Sequence, residues 1–217
     1  FIFIRYTPII SKDIHVGSLL ERIRGGIYYL KNNPSIFRFG TLTYMLFAFT
    51  LVEVHVLLPG YVERFLRSSV DVYASAEIYY SIGAILSGFL IYRVFSRYNV
   101  YLNIMILMLI VSFAFFAISF SDNLMLFFIT NLLLGITNAG VRILRTTYLF
   151  SNIPNNLIGR STSVFSSINV MVRMILILLF SLPFFLEDDN IRWGYFCGSI
   201  MLLFSILLLY ISYRRDK

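Results

Sequence analysis

The chain has 217 residues, of which 59% are hydrophobic and 13% charged, with a formal net charge of +7. Soluble domains hold about 25% charged residues, so the composition excludes an ordinary soluble fold and points to an all-α integral membrane protein. The basic residues are scattered among apolar runs and form no compact basic face, which argues against a nucleic-acid partner.

The first 35 residues read as a polar connection. Residues 1–4 are the apolar stub Phe-Ile-Phe-Ile, expected to be the tail of an earlier span. They lack the basic start and cleavage site of a signal peptide. Ser18 and Glu21 form a capping box. Leu19, Ile23, Ile27 and Leu30 then line one apolar face until Lys31 and Asn33-Pro34 end the pattern. The expectation is a short amphipathic helix lying on the membrane surface, weakened by Gly25 and Gly26.

Six apolar runs follow, at about 36–58, 72–91, 100–120, 124–151, 162–185 and 193–213, each near the roughly 20 residues a bilayer span needs. Pro59-Gly60 is expected to stop the first. A basic turn with Arg93 and Arg97 follows the second, and a polar hinge at 152–161 joins the fourth and fifth. Glu187, Asp188 and Asp189 make an acidic loop before the sixth, and Arg214, Arg215 and Lys217 close the chain. Six spans put both ends on one side. Of the 18 basic residues, most fall on that side, only Arg64, Arg67 and Arg192 fall on the other, and three lie within spans. The excess of positive charge predicts cytoplasmic ends and a multi-pass protein of the cell membrane.

Charge inside the spans is selective. Glu53, with His55 nearby, lies in the first, Glu77 in the second, Arg142 and Arg145 in the fourth and Arg173 in the fifth. The third and sixth have none. An arginine at bilayer depth costs roughly 2.5–3.5 kcal/mol on insertion scales, so each needs a partner, a wet cavity or a route to the interface. Asn131, Gly135, Asn138 and Arg142 fall on one helical face, and Thr162, Ser166, Asn169 and Arg173 repeat the same offsets. Two polar stripes on apolar cylinders predict a shared aqueous cavity. The alternative is a polar helix–helix contact that holds no ligand. Arg173, near mid-span, is the sharpest candidate for contact with a substrate or counter-ion. Arg142 and Arg145 sit nearer the inner face and can also snorkel outward.

Glu77, Ser81, Ala84 and Gly88 share a face of the second span. Burial disfavours a charged carboxylate, so Glu53 and Glu77 are candidates for loading a proton on one side of a membrane and releasing it on the other. The plainer reading is a hydrated carboxylate near the outer face. Tyr73, Tyr79 and Tyr80 read as interface-belt residues, with stacking on a drug-like compound as the alternative for Tyr80. The order polar, polar, apolar occurs in each triplet of spans, which matches the three-plus-three inverted repeats of one transporter class.

Several stretches carry a family resemblance. They are Ser18-Leu-Leu-Glu-Arg through Tyr28-Tyr29-Leu30 with Asn33-Pro34; Leu57-Leu58-Pro59-Gly60-Tyr61; Ser81-Ile82-Gly83-Ala84 through Gly88, then Arg93 and Arg97; and Gly135-Ile136 followed by Pro154 through Gly159-Arg160. Together and in order, they resemble the C-terminal half of a major facilitator superfamily transporter of the macrolide-efflux and enterobactin-exporter-like branch. The loop after the second span departs from the usual motif, with Tyr92 where an aspartate is usual and Phe95 where a glycine is usual. The resemblance implies half of a twelve-helix fold, with an N-terminal six-helix half ahead of this chain. It also implies alternating access, a gating role for Gly88, Arg93 and Arg97, and proton-coupled efflux of a small amphiphilic or anionic compound. An importer of a small organic anion and a non-transporting six-span scaffold are the alternative functions. Cys197 is the only cysteine and His15 and His55 lie far apart, so neither a metal nor another cofactor is expected. No serine, histidine and carboxylate grouping suggests an enzyme.

Overall fold

The computed structural model describes residues 19–94 and 99–215, and every regular element among them is helical. Ser18 of the expected capping box and Arg97 of the basic turn lie outside the described residues. A leading helix, α1 (Leu19–Asn32), precedes six helices long and apolar enough to cross a membrane. These are α2 (Pro34–Phe65), α3 (Val70–Val94), α4 (Val100–Ile118), α5 (Leu124–Asn152), α6 (Asn155–Phe180) and α7 (Arg192–Arg215). Polar asparagines start two of them. The Asn99 side chain accepts from the Tyr101 N–H, and that of Asn123 from the N–H groups of Met125 and Leu126.

Two expected boundaries move. Pro59-Gly60 does not stop the first span. The chain passes through a π-helical turn at Glu53–Leu57, a short α segment at Leu58–Gly60 and a second π turn at Tyr61–Phe65. A proline ring inside a regular α-helix collides with the carbonyl four residues back. The widened turn ahead of Pro59 lets the helix continue. The expected hinge at 152–161 shrinks to Ile153 and Pro154, because Asn155 onward is already helical. At its other end α6 stops at Phe180, and a turn at Pro183–Leu186 leads through a 3-10 segment, Asp188–Ile191, into α7.

The helices pack in a definite set of pairs. α3 packs on α5, α6 on α2, α4 on both α5 and α7, and α7 on α2, while α2 and α5 meet across the centre. Exchanging the triplet α2, α3, α4 for α5, α6, α7 turns this set of pairs into itself. Small residues set the closest approaches. A side chain on Gly83 would strike the Leu132 carbonyl, and one on Gly135 the Tyr80 carbonyl, so α3 and α5 touch backbone to backbone. On α7, Gly194 and Gly198 form sockets one turn apart for Leu57 and Phe49 of α2. The Phe165 ring of α6 lies over Gly40.

α3 and α6 are the least buried of the six, with 22% and 17% of their most apolar stretches inside the bundle against 61% and 56% for α4 and α5. They flank the more open side. α1 lies against the start of α6. Gly26 abuts the Arg160 backbone, and Tyr29 Oη donates to the Asn152 carbonyl at 3.2 Å. Leu30 is buried, whereas Ile27 on the same expected apolar face is 51% exposed.

Candidate functional site: polar groups along α2, α3 and α5

A cavity of about 250 Å³ opens between α2, α3 and α5. Its walls are Val54 and Leu58 from α2, Glu77, Tyr80 and Ser81 from α3, and Asn131 from α5. It therefore joins four of the polar positions singled out in the sequence, Glu77, Tyr80, Ser81 and Asn131. Glu77 is exposed to it, and Tyr73, one turn earlier, donates its hydroxyl to Glu77 Oε1 at 2.9 Å. Tyr80 accepts a hydrogen bond of 2.8 Å from Asn138 Nδ2. Asn131 turns its amide back onto the Phe127 carbonyl at 3.0 Å, while its side chain stays on the cavity wall.

Glu53 lies on the other side of α2. It is 1% exposed and faces α7, where Tyr195 Oη donates to Oε1 at 2.8 Å. Its second oxygen, Oε2, is buried and has no hydrogen-bond partner among the described residues. The π turn that begins at Glu53 sets this direction. π turns concentrate at functional positions because they re-aim side chains without ending the helix.

Two further predicted residues converge nearer the start of α2. Arg145 is 4% exposed, donates through Nη1 to the Thr43 carbonyl at 3.1 Å, and stacks its guanidinium 3.7 Å from the centre of the Tyr44 ring. Asn169 of α6 donates to the next carbonyl, that of Tyr44, at 3.1 Å. One short stretch of α2 thus receives a side chain from α5 and another from α6. The ring face of Tyr44 supplies negative electrostatic potential to this buried guanidinium.

The remaining predicted residues separate. The α5 stripe does not line one continuous cavity. Gly135 is pressed against α3 and Asn138 is bonded to it, because the glycine contact draws that face of α5 inward. Arg142 and Ser166 are exposed. Arg173 is half-buried, and its Nε is buried without a hydrogen-bond partner among the described residues. Gly88 is exposed with open space beside it, so no close helix approach requires glycine there. Arg93 is exposed in the last turn of α3.

The sequence reading missed the partners. The bond from Tyr73 to Glu77 has the helical i, i+4 spacing and was legible. No local pattern links Tyr195 to Glu53 or Tyr44 to Arg145. A second, larger cavity of about 580 Å³ lies at the end of the bundle away from the chain termini, lined by Arg67, Asp122, Asp189 and Arg192 among others. Arg67 there holds a left-handed backbone conformation, with φ of 48°.

Comparisons with protein-family models, with curated proteins and with solved structures found no match to this chain.

Proposed function

We propose that the chain is a six-helix half of a secondary transporter of the major facilitator type. It would export a small amphiphilic or anionic compound in exchange for protons. The supporting observation is the set of helix pairs that survives exchange of the two triplets. A six-helix unit made of two inverted three-helix repeats packs in this way, with one helix of each repeat turned away from the transport path. In this reading α4 and α7, the two spans without internal charge, are the outer pair. Glu77, open to the cavity and held by Tyr73, loads the proton. Arg173, whose Nε has no hydrogen-bond partner among the described residues, offers its guanidinium to an anionic group of the substrate. Both chain ends face the cytoplasm and the protein resides in the cell membrane.

The test is transport in vesicles by the protein expressed from its complete gene. An imposed proton gradient should drive counterflow, and Glu77→Gln should abolish its dependence on the gradient. Arg173→Gln should abolish transport of anionic compounds. Transport that survives Arg173→Gln for every compound carried removes the substrate role of this residue.

One specific observation favours a second reading, a non-transporting scaffold. Asn138, Arg145 and Asn169 all donate hydrogen bonds to neighbouring helices. Much of the predicted polar stripe thus serves helix association. Absence of any gradient-driven flux, with the bundle intact, would favour that reading.

A further inference from the structure

We infer that the groove between the start of α2 and the end of α7 binds an anionic phospholipid of the leaflet at the side of the chain termini. The inference rests on the membrane-spanning reading above. The groove has a volume of about 240 Å³, and its walls are mainly apolar. Phe37 and Leu42 come from α2, and Leu208 and Ile211 from α7. Phe37 is 37% exposed and Ile211 is 53% exposed. In a bilayer such a furrow on the outside of a bundle is filled by an acyl chain, since water there would be excluded from both sides.

The chemistry of the groove selects the headgroup. Two guanidinium groups, Arg38 and Arg215, line it, and among the described residues no acidic one does. Arg38 is held in place by its Nε, which donates to Ser212 Oγ across the gap between α2 and α7 at 3.0 Å. Thr41, also on the wall, has a buried hydroxyl oxygen without a hydrogen-bond partner among the described residues. Both arginines lie where the two helices enter the bundle, one in the first turns of α2 and the other at the last residue of α7. Basic pockets between membrane helices at the cytoplasmic surface are recognition sites for anionic headgroups. The cavity at the opposite end differs in this respect, because Asp122 and Asp189 stand among its arginines. Among the described residues, the groove at the α2–α7 end presents charge of a single sign above an apolar furrow. A phosphodiester would therefore sit between Arg38 and Arg215, and one acyl chain would run along Phe37, Leu42, Leu208 and Ile211.

The experiment uses the protein from its complete gene, reconstituted into nanodiscs with equal amounts of phosphatidylglycerol and phosphatidylcholine. Native mass spectrometry after transfer to detergent reads which lipid is retained. Phosphatidylglycerol should dominate. Arg38→Gln or Arg215→Gln should each lower its excess by about fivefold, and the double substitution by about thirtyfold. Ile211→Trp, which fills the furrow and leaves both arginines, should release lipid of either kind. Arg215 makes no hydrogen bond to the other described residues, so Arg215→Gln stays informative if Arg38→Gln unfolds the bundle. Equal retention of the two lipids, an unchanged excess in Arg215→Gln, or binding of inorganic phosphate without dependence on the acyl chain would overturn the site. Extraction of the protein from native membranes by alkaline carbonate would overturn the membrane reading and the site with it. Carbonate-resistant protein that shows no lipid preference overturns the site alone.

Discussion

The two sides of α2 carry similar groups to opposite ends. On one side Glu53 is sealed against α7, with Tyr195 on one oxygen and no hydrogen-bond partner for the other among the described residues, amid the sockets that Gly194 and Gly198 offer to Leu57 and Phe49. On the other side Glu77 reaches α2 across a cavity and remains exposed. The sequence places the two carboxyls at the same depth and gives them the same candidate role. Depth sets the cost of a charge in a membrane, but the helix face sets whether the group can exchange with water. The two arginines on the neighbouring helices teach the same lesson. Arg145 is engaged by a carbonyl and a ring, whereas Arg173 keeps one nitrogen without a partner among the described residues.

The largest way to break this contrast is to close a socket on the packed side. Gly198→Leu would collide with the Phe49 ring. Overpacking of this kind costs about 3 kcal/mol, and thermal unfolding in detergent should show it as a loss of the folded bundle near ambient temperature. Next comes Tyr195→Phe, which strips the last hydrogen bond from a buried carboxyl. A destabilisation of about 2 kcal/mol is expected. Glu53→Leu in the same chain should recover much of it, because an apolar pair no longer leaves a buried acceptor unmet. A double-mutant cycle on Glu53 and Tyr195 measures the coupling, and strict additivity would mean that the 2.8 Å contact contributes nothing.

A smaller effect comes from the tip of α2. Arg67 occupies a left-handed position that favours glycine, and the Ser68 N–H closes back on the Val62 carbonyl at 3.0 Å. Arg67→Gly should raise stability by about 1 kcal/mol. A loss instead would show that the side chain holds the far-end cavity together. The smallest expected effect on stability is on the open side. Glu77→Gln should change it by less than about 0.5 kcal/mol, as an exposed substitution outside the core does. Labelling sharpens the contrast between the carboxyls. With Cys197 replaced by serine, a cysteine at 77 should react readily with a hydrophilic maleimide. A cysteine at 53 should stay protected while the bundle is folded. Equal rates would erase the difference between the two faces.

Much of the bundle was legible before any coordinates. Long apolar runs announce their helices, because backbone groups taken out of water must find hydrogen-bond partners and a helix supplies them within the segment. Errors fell at the ends, where local rules compete. Pro59 would end an ordinary helix, yet the π turn ahead of it lets α2 run on to Phe65. The hinge at 152–161 looked polar, but the chain is helical from Asn155, and this first part of α6 packs on α1 where Gly26 meets Arg160.

The candidate site was legible only as a set of polar residues. Periodicity assigns Asn131, Asn138 and Arg142 to one face of α5, and it carries no information about which helix that face meets. The mutual fit of Gly83 and Gly135 decides that it meets α3. The sequence alone determined that six helices form, roughly where they run, and which few residues break their apolar character, since these follow from hydrophobicity and local hydrogen bonding. Only tertiary structure decided that Glu53 turns to Tyr195, that Arg145 is bound by Tyr44 and Thr43, and that Glu77 keeps access to a cavity. Those outcomes depend on the rotation and distance of helices far apart in the chain, which packing of small residues against bulky ones sets.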